Sequence, residues 1–477
     1  MERLFGRDVI YSDVDEITKD NIITVLNSTR DLYMKNQAQA DYLYWYRRGK
    51  QPILNRKKDV RPEICNRVTE NRADEIASFK TGYLCGEPIQ YISRNADDVV
   101  SQNINRLNDM MLVESKAAKD KELLDWCHEV GTGYRMALPS TDKESESPFE
   151  IYTLDPRYTY VIYSSKIGNK PLAGIVCGKN SEGETIHTVY TPKLFMEVKN
   201  GKKVVKEKAH SLGMIPIIEY PANSMRLGSY ETVLPILDAI NTVTSNRVDG
   251  VEQFVQSLIK FINCEIDKDS FLALQQLGAI QIKSTDGQNA DVEIMTQELN
   301  QTQTQTLVEH MYQTVLTICG MPNRNGNGSS TSDTGAASLL RDGWTLAEAR
   351  AKDSELMFKR SERELLKLVL HICKTNADMD IKLADIETKF TRRNYENIQT
   401  KSQVLCQMLN NEKIDPKYAY TSCGMFTDPE EAYQAGLKWF AQREAKAEAD
   451  AKRQSDSNIA SEGDKTQGAD KPTKNGK

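Results

Sequence analysis

Val233, Leu234, Leu237, Ile240, Val248, Val251, Val255, Leu258 and Ile262 fall at three- and four-residue spacing, the stripe that puts side chains on one face of a helix. From 235 to 262 such a helix would be about 40 Å long, at about 1.5 Å per residue. Any fold of this chain must accommodate that rod. Pro235 is compatible only with its first turn, and Gly250 weakens its middle. A second helical stripe covers residues 302–319. Between the two lie the strand-like runs AIQI and VEIM, around a loop that contains Asp286-Gly287. A short insert between two helices implies that they run antiparallel.

The flanking sequence changes period twice. Residues 28–50, rich in Tyr and Trp, read as helix, as do 66–82, stopped by Gly86 and Pro88, and 99–128, broken by Gly131 and Gly133. From 134 to 220 the pattern becomes short β-branched and aromatic runs, YTYVIY, LAGIVCG, TIHTVYT, LFMEV, KVVKE and IPIIEY. Asn200-Gly201 between two of them supplies the two positive φ angles of a type I′ hairpin. After the second rod comes the most polar loop, PNRNGNGSSTSDTG from 322 to 335, whose glycines and hydroxyls cannot build a core and which is expected to be exposed.

A highly charged helix is expected over 336–374, with Glu348/Lys352 and Glu355/Lys359 at i,i+4. Its apolar stripe is thin before Leu365, Leu368, Val369 and Ile372, so its first half is expected to pack through polar contacts. The strand-like IKLADIETKF leads into helices from 394 to about 449, and Asp428-Pro429-Glu430-Glu431 is a strong helix start. Beyond 452 almost nothing is apolar, the mark of a disordered tail. The fold class is α+β, mainly helical.

With 477 residues, 39% of them hydrophobic, the chain is long enough for two or three domains with substantial cores. Its first twenty residues do not resemble a signal peptide, and no apolar run approaches the roughly 18 residues that cross a bilayer. A cytoplasm, or a particle assembled there, is the expected location. The nine cysteines never reach CxxC spacing and do not form a disulfide framework. A net charge of −6 argues against a globally basic protein that coats DNA, because nonspecific duplex binding rests on neutralising phosphates.

Catalytic signatures are missing. Gly174-Ile-Val-Cys-Gly178-Lys179-Asn180 lacks one spacer of a phosphate loop and has Asn where a magnesium-binding Ser or Thr is needed. It reads better as a β-hairpin. The five histidines include no HxxxH or HExxH pair, and there is no GxSxG elbow. Acidic pairs such as Asp97-Asp98 and Glu430-Glu431 read as solvated or capping carboxylates rather than a two-metal site. Aromatic and basic residues interleave from Tyr42 to Arg48, a composition that suits a nucleic-acid surface or, more plainly, a helix face packed on its own domain. No catalytic residue, metal site or cofactor is expected.

Four strings in order resemble the portal family typified by phages of Gram-positive bacteria, the SPP1-type portal proteins. They are YLYWYRRGKQPI with NRVTENRADEIASFKTGYLCGEPIQY, then LPILDAINTVTSNRVDGVEQF, then SDTGAASLLRDGWTLAEARAKDSELMFKRSERELLKL, then FTDPEEAY. Each alone is weak, but together they span most of the chain.

The resemblance implies a portal fold, a dodecameric ring with wing, stem, clip and crown regions. The wing would be 1–228, a helical part and then an antiparallel β region, and the first stem helix 229–262. The clip would be 263–300, the second stem helix 301–319, and the channel loop region 320–343. A long wing helix and strand would follow over 344–393, crown helices over 394–449 and the tail over 450–477. The candidates for facing DNA are Arg324, Asn325, Asn327, Ser330, Asp333 and Arg341. Those for docking partners on the clip are Asp269, Gln281, Lys283 and Asp286.

The implied partners are further copies of the chain, double-stranded DNA in transit, the terminase large subunit, the head–tail adaptor, and the major capsid and scaffolding proteins, with no membrane. The implied place is the portal vertex of the virion, assembled in the host cytoplasm. Two alternatives remain: another ring-forming virion connector or scaffold without catalysis, and a nucleic-acid enzyme with metal-dependent nuclease or ATPase activity.

Overall fold

The computed structural model describes residues 6–94, 98–142, 144–255, 258–262, 291–295, 301–323, 343–391, 398–426 and 429–463. The chain divides into two compact units, Met1–Asp333 with Ala337–Arg392, and Thr334–Ala336 with Arg393–Lys477.

In the first unit the helices are α1 (Ile22–Arg47), α2 (Arg72–Leu84), α3 (Asp98–Val113), α4 (Lys116–Val130), α5 (Leu234–Val255), α6 (Gln301–Cys319) and α7 (Trp344–Asn376). The expected helix over 99–128 is in fact two, because Ser115 adopts a left-handed φ of 53°. The chain turns there, and α4 starts in a new direction.

The strands form two main sheets. The larger has the order β1 (Ile10–Ser12), β5 (Thr159–Ser164), β6 (Pro171–Lys179), β7 (Thr185–Tyr190), β8 (Leu194–Lys199) and β9 (Lys203–Ala209). All its pairs are antiparallel except β1 with β5. The smaller is β10 (Ile217–Pro221), β3 (Thr132–Pro139) and β4 (Phe149–Leu154). All six β runs read from the sequence over 134–220 appear. At the tip between β8 and β9, Asn200 and Gly201 have φ of 52° and 66°, the positive pair expected of that turn. Gly174 is explained by packing and not by phosphate: a Cβ there would stand 2.7 Å from Cβ of Ile217, so glycine lets β6 approach β10.

The first rod is shorter than its stripe implies. α5 ends at Val255, and Leu258–Ile262 is a strand, β11, paired antiparallel with β12 (Asp291–Met295). Leu258 and Ile262 fit a helical stripe, but LIKFI is also rich in the β-branched and aromatic types that suit a pleated surface. VEIM lies in β12, whereas AIQI is outside the described residues. The strand expected within IKLADIETKF is β13 (Ile386–Lys389), which pairs antiparallel with β2 (Gln90–Ser93) and returns the chain from α7 to the first third.

The second unit contains α8 (Ile398–Leu409), α9 (Pro416–Cys423) and α10 (Pro429–Gly463). Asp415 caps α9 by accepting from the Lys417 N–H at 2.9 Å, with Pro416 at the first position. Pro429 opens α10 as its sequence implies, while Asp428 is outside the described residues. The tail expected to be disordered from 450 is helical as far as Gly463. Its Ala, Glu, Lys, Arg and Gln residues are good helix formers even without an apolar face.

Candidate functional site

α5 and α6 lie antiparallel. Arg247, near the end of α5, donates to Gln305 at the start of α6, and Cys319 at the end of α6 approaches the Ser229 carbonyl just before α5. Between them Leu234, Leu237 and Ile240 bury against Val315 and Leu316. Val248 and Val251 on α5 and Leu307 and Ile318 on α6 are exposed. The pair therefore keeps apolar surface in reserve beyond what its own fold covers.

A polar ladder also holds α5. Asn241, Ser245 and Asp249 are buried at i, i+4 and i+8. Their side-chain oxygens accept the backbone N–H groups of Glu70 (2.8 Å), Val68 (2.9 Å) and Asn66 (2.7 Å). The match is geometric. Four helical residues advance about 6 Å and two extended residues about 6.6 Å, so an extended segment can put every second N–H onto one helix face. Arg56 (2.9 Å) and Lys58 (3.0 Å) also reach Asp249. Burial pushes its carboxyl up, but the Asn66 N–H, Lys58 and Arg56 outweigh this and hold it below the usual value.

A second polar assembly fixes α7. Lys116 and Asp120 of α4, Arg135 of β3 and Glu362 of α7 are almost wholly excluded from water. Lys116 Nζ lies 2.6 Å from Asp120 and 3.0 Å from Glu362, and Arg135 lies 2.6 Å from Asp120. The Tyr91 and Tyr220 hydroxyls donate to the two Glu362 oxygens at 2.5 and 2.6 Å. Two cations balance two carboxylates, as burial demands. Burial raises the Glu362 carboxyl, but Lys116 and Arg135 overcome this and keep it ionised. Arg135 meets Asp120 off the line a hydrogen bond needs, so its N–H groups have no aligned acceptor. The sequence reading of α7 holds in outline: polar contacts such as the Tyr83 hydroxyl to Glu348 at 2.9 Å fix its first half, and Leu365, Leu368, Val369 and Ile372 are core.

All the residues named from the sequence for DNA, Arg324, Asn325, Asn327, Ser330, Asp333 and Arg341, are outside the described residues. So are those named for docking, Asp269, Gln281, Lys283 and Asp286. What is described is where the polar segment departs and returns. Gly320 after α6 has φ of +66° and a Cβ there would stand 2.8 Å from Arg350 Cγ, while a Cβ at Gly343 would stand 3.8 Å from Pro322 Cα. Pro322 and Gly343 thus stand side by side, between the end of α6 and the start of α7.

The aromatic and basic run of α1 packs on its own domain, the plainer of its two readings. Arg47 pairs with Asp74 (2.9 Å), Asp125 (2.8 Å) and Glu129 (3.1 Å), and Tyr44 stacks on Trp126. Chemistry at the described cysteines and histidines is muted. Cys177 Sγ lies 3.2 Å from His187 Nδ1, yet burial pushes the thiol up to about 11 and the imidazole down, so neither the thiolate nor the imidazolium is favoured. Among the described residues no group of three His, Cys, Asp or Glu could hold a metal, and no helix is long and apolar enough to cross a membrane.

The ladder and the ionic cluster escaped the sequence reading. A spacing of Asn-x3-Ser-x3-Asp on an otherwise apolar helix was the available signal for the first. Nothing local marks the second, whose members come from five separate elements.

The sequence profile of the family described as phage portal protein, SPP1 Gp6-like, matches residues 30–455. No curated protein matches the chain. Among solved structures, a chain from the neck of an empty GTA particle computed with C6 symmetry aligns with a TM-score of 0.44 and 10% identity, over 74% of this chain and 90% of that one.

Proposed function

Because this chain belongs to the family of phage portal proteins, SPP1 Gp6-like, we propose that it is one subunit of a dodecameric ring at the capsid vertex, through which double-stranded DNA enters during packaging and leaves at ejection. The family match over residues 30–455 carries this reading. Two features support it. The α5/α6 pair is clamped to its own unit on one side and keeps Val248, Val251, Leu307 and Ile318 exposed, as a helix pair that packs on a second copy would. A ring needs such a head-to-tail contact, and it closes when the rotation per subunit is right.

Pro322 and Gly343 stand side by side, so in this reading the segment between them would project as a loop toward a central channel without disturbing α6 or α7. Its Gly, Ser and Asn content, with Arg324, Asp333 and Arg341 among few charges, suits a duplex that must slide, since a lumen crowded with cations would hold phosphates and brake it. Work is supplied by a separate terminase, docked on the insert between β11 and β12 that a head–tail adaptor later occupies. In this reading the subunit is a conduit without catalysis, assembled in the host cytoplasm with the major capsid and scaffolding proteins.

Replacing Arg324 and Arg341 with Ala tests the channel assignment. Packaging rate or DNA retention in the particle should change, and particles indistinguishable from wild type in both would overturn it.

A further inference from the structure

A recess between α2, α4, the end of α6 and the first turns of α7 is lined by Phe79, Lys80, Tyr83, His128, Gly320 and Arg350, with a cavity volume of about 30 Å³. Lys80 is half-buried, and neither it nor the Arg350 guanidinium meets a carboxylate among the described residues. Arg350 is exposed, but Lys80 differs from the deeply buried cations of the unit, Arg7, Lys116 and Arg135, each of which is paired with Asp or Glu. Burial and the nearby Arg350 push the Lys80 ammonium down. Lys80 in turn adds to the burial that drives the His128 imidazole down to about 3. Among the described residues no carboxylate reaches the Lys80 ammonium in this small cavity, the Glu348 carboxylate accepting instead from the Tyr83 hydroxyl, and a single anion would relieve that charge.

We propose that this recess receives a carboxylate carried by a second copy of this chain. Size favours a carboxylate: the cavity has room for two or three waters and so for the end of an Asp or Glu side chain, while a duplex backbone is too bulky to enter. The Phe79 and Tyr83 rings, 5.7 Å apart and nearly parallel, offer an apolar wall for the stem of such a side chain. Supply is plentiful, with 68 acidic against 62 basic residues in the chain. The inference rests on the ring reading above and deepens it, because a heterologous contact presents one surface of a subunit to a different surface of its neighbour.

The test uses the full-length chain, separated into monomeric and assembled fractions. An amine-reactive reagent is applied to each at mild alkaline pH, and modification of Lys80 is read by peptide mass spectrometry. Lys80 should react in the monomer and be protected roughly tenfold in the assembly, as for a charge pair formed at an interface. Lys80→Met and Arg350→Met should each lower the assembled fraction roughly tenfold, while the monomer melts no lower than wild type, which shows that the variants fold. Equal labelling of Lys80 in both fractions, or assembly of both variants as wild type, would overturn the inference but leave the ring standing. Protection of the monomer by acetate alone, as strong as that from assembly, would also overturn it by making the ligand a free anion. Absence of any assembled fraction would overturn the ring reading itself.

Discussion

The ladder on α5 and the ionic cluster under α7 each fix a long helix to the rest of the first unit, by opposite means. The ladder uses neutral or singly charged side chains to accept N–H groups from an extended backbone, with Arg56 and Lys58 partly open to water around its last member. The cluster sets four charges against one another where almost no water reaches. A ladder can lose one rung and keep its neighbours. In the cluster, removal of one charge strands its partners in a low-dielectric interior, a cost that exceeds anything the intact pair contributes.

That contrast orders the expected effects. Glu362→Gln should be the most damaging, since it leaves Lys116 and Arg135 sharing Asp120 alone. A loss of about 3–5 kcal/mol is expected by chemical denaturation, and a loss under about 1 kcal/mol would mean that water relieves the cluster. Asp249→Ala should cost about 2 kcal/mol, the range for hydrogen bonds with a charged partner. Ser245→Ala should cost about 1 kcal/mol, and the two together should fall near their sum if the rungs act separately, which a double-mutant cycle will read.

Acid offers a further separation. The folded His128 value of about 3 lies below its ordinary 6.5, so below 6.5 the unfolded chain takes up a proton that the folded chain refuses. Its contribution is intact above pH 6.5 and declines toward pH 3, by about 1.4 kcal/mol per pH unit. Glu362, held below its ordinary 4.5, contributes above that value and is lost only at lower pH. Between pH 6.5 and 5, wild type should therefore lose about 2 kcal/mol more than His128→Gln, as measured by denaturation at each pH. An effect as small as that of Ser245→Ala is expected in the large sheet: Gly201→Ala at the β8–β9 tip should cost about 1 kcal/mol and leave the melting of α5 mutants unchanged.

These differences also explain what the sequence could reveal. Period-2 runs and Asn200-Gly201 are local, and the hairpins they imply are all present. Local rules also placed α6 and the start of α10. They misplaced the end of α5, because Val255, Leu258 and Ile262 satisfy a helical stripe and a strand-rich composition alike, and only pairing with Asp291–Met295 decides between them. They ran α3 into α4, since nothing in Glu114-Ser115 announces a left-handed residue. The ionic cluster was illegible because its members are brought together from positions 91, 116, 120, 135, 220 and 362 by tertiary packing alone. The family was legible because four strings keep their order along the chain, whereas the roles of Arg324 and Asp269 rest on position in an assembly that one chain does not contain.

The central claim, that copies of this chain form a ring around a passage for DNA, is tested most directly by electron microscopy of the purified full-length protein. The expected result is a thick ring with a central hole wide enough for duplex DNA. Particles that stay monomeric at every concentration, or that assemble without a central hole, would contradict it.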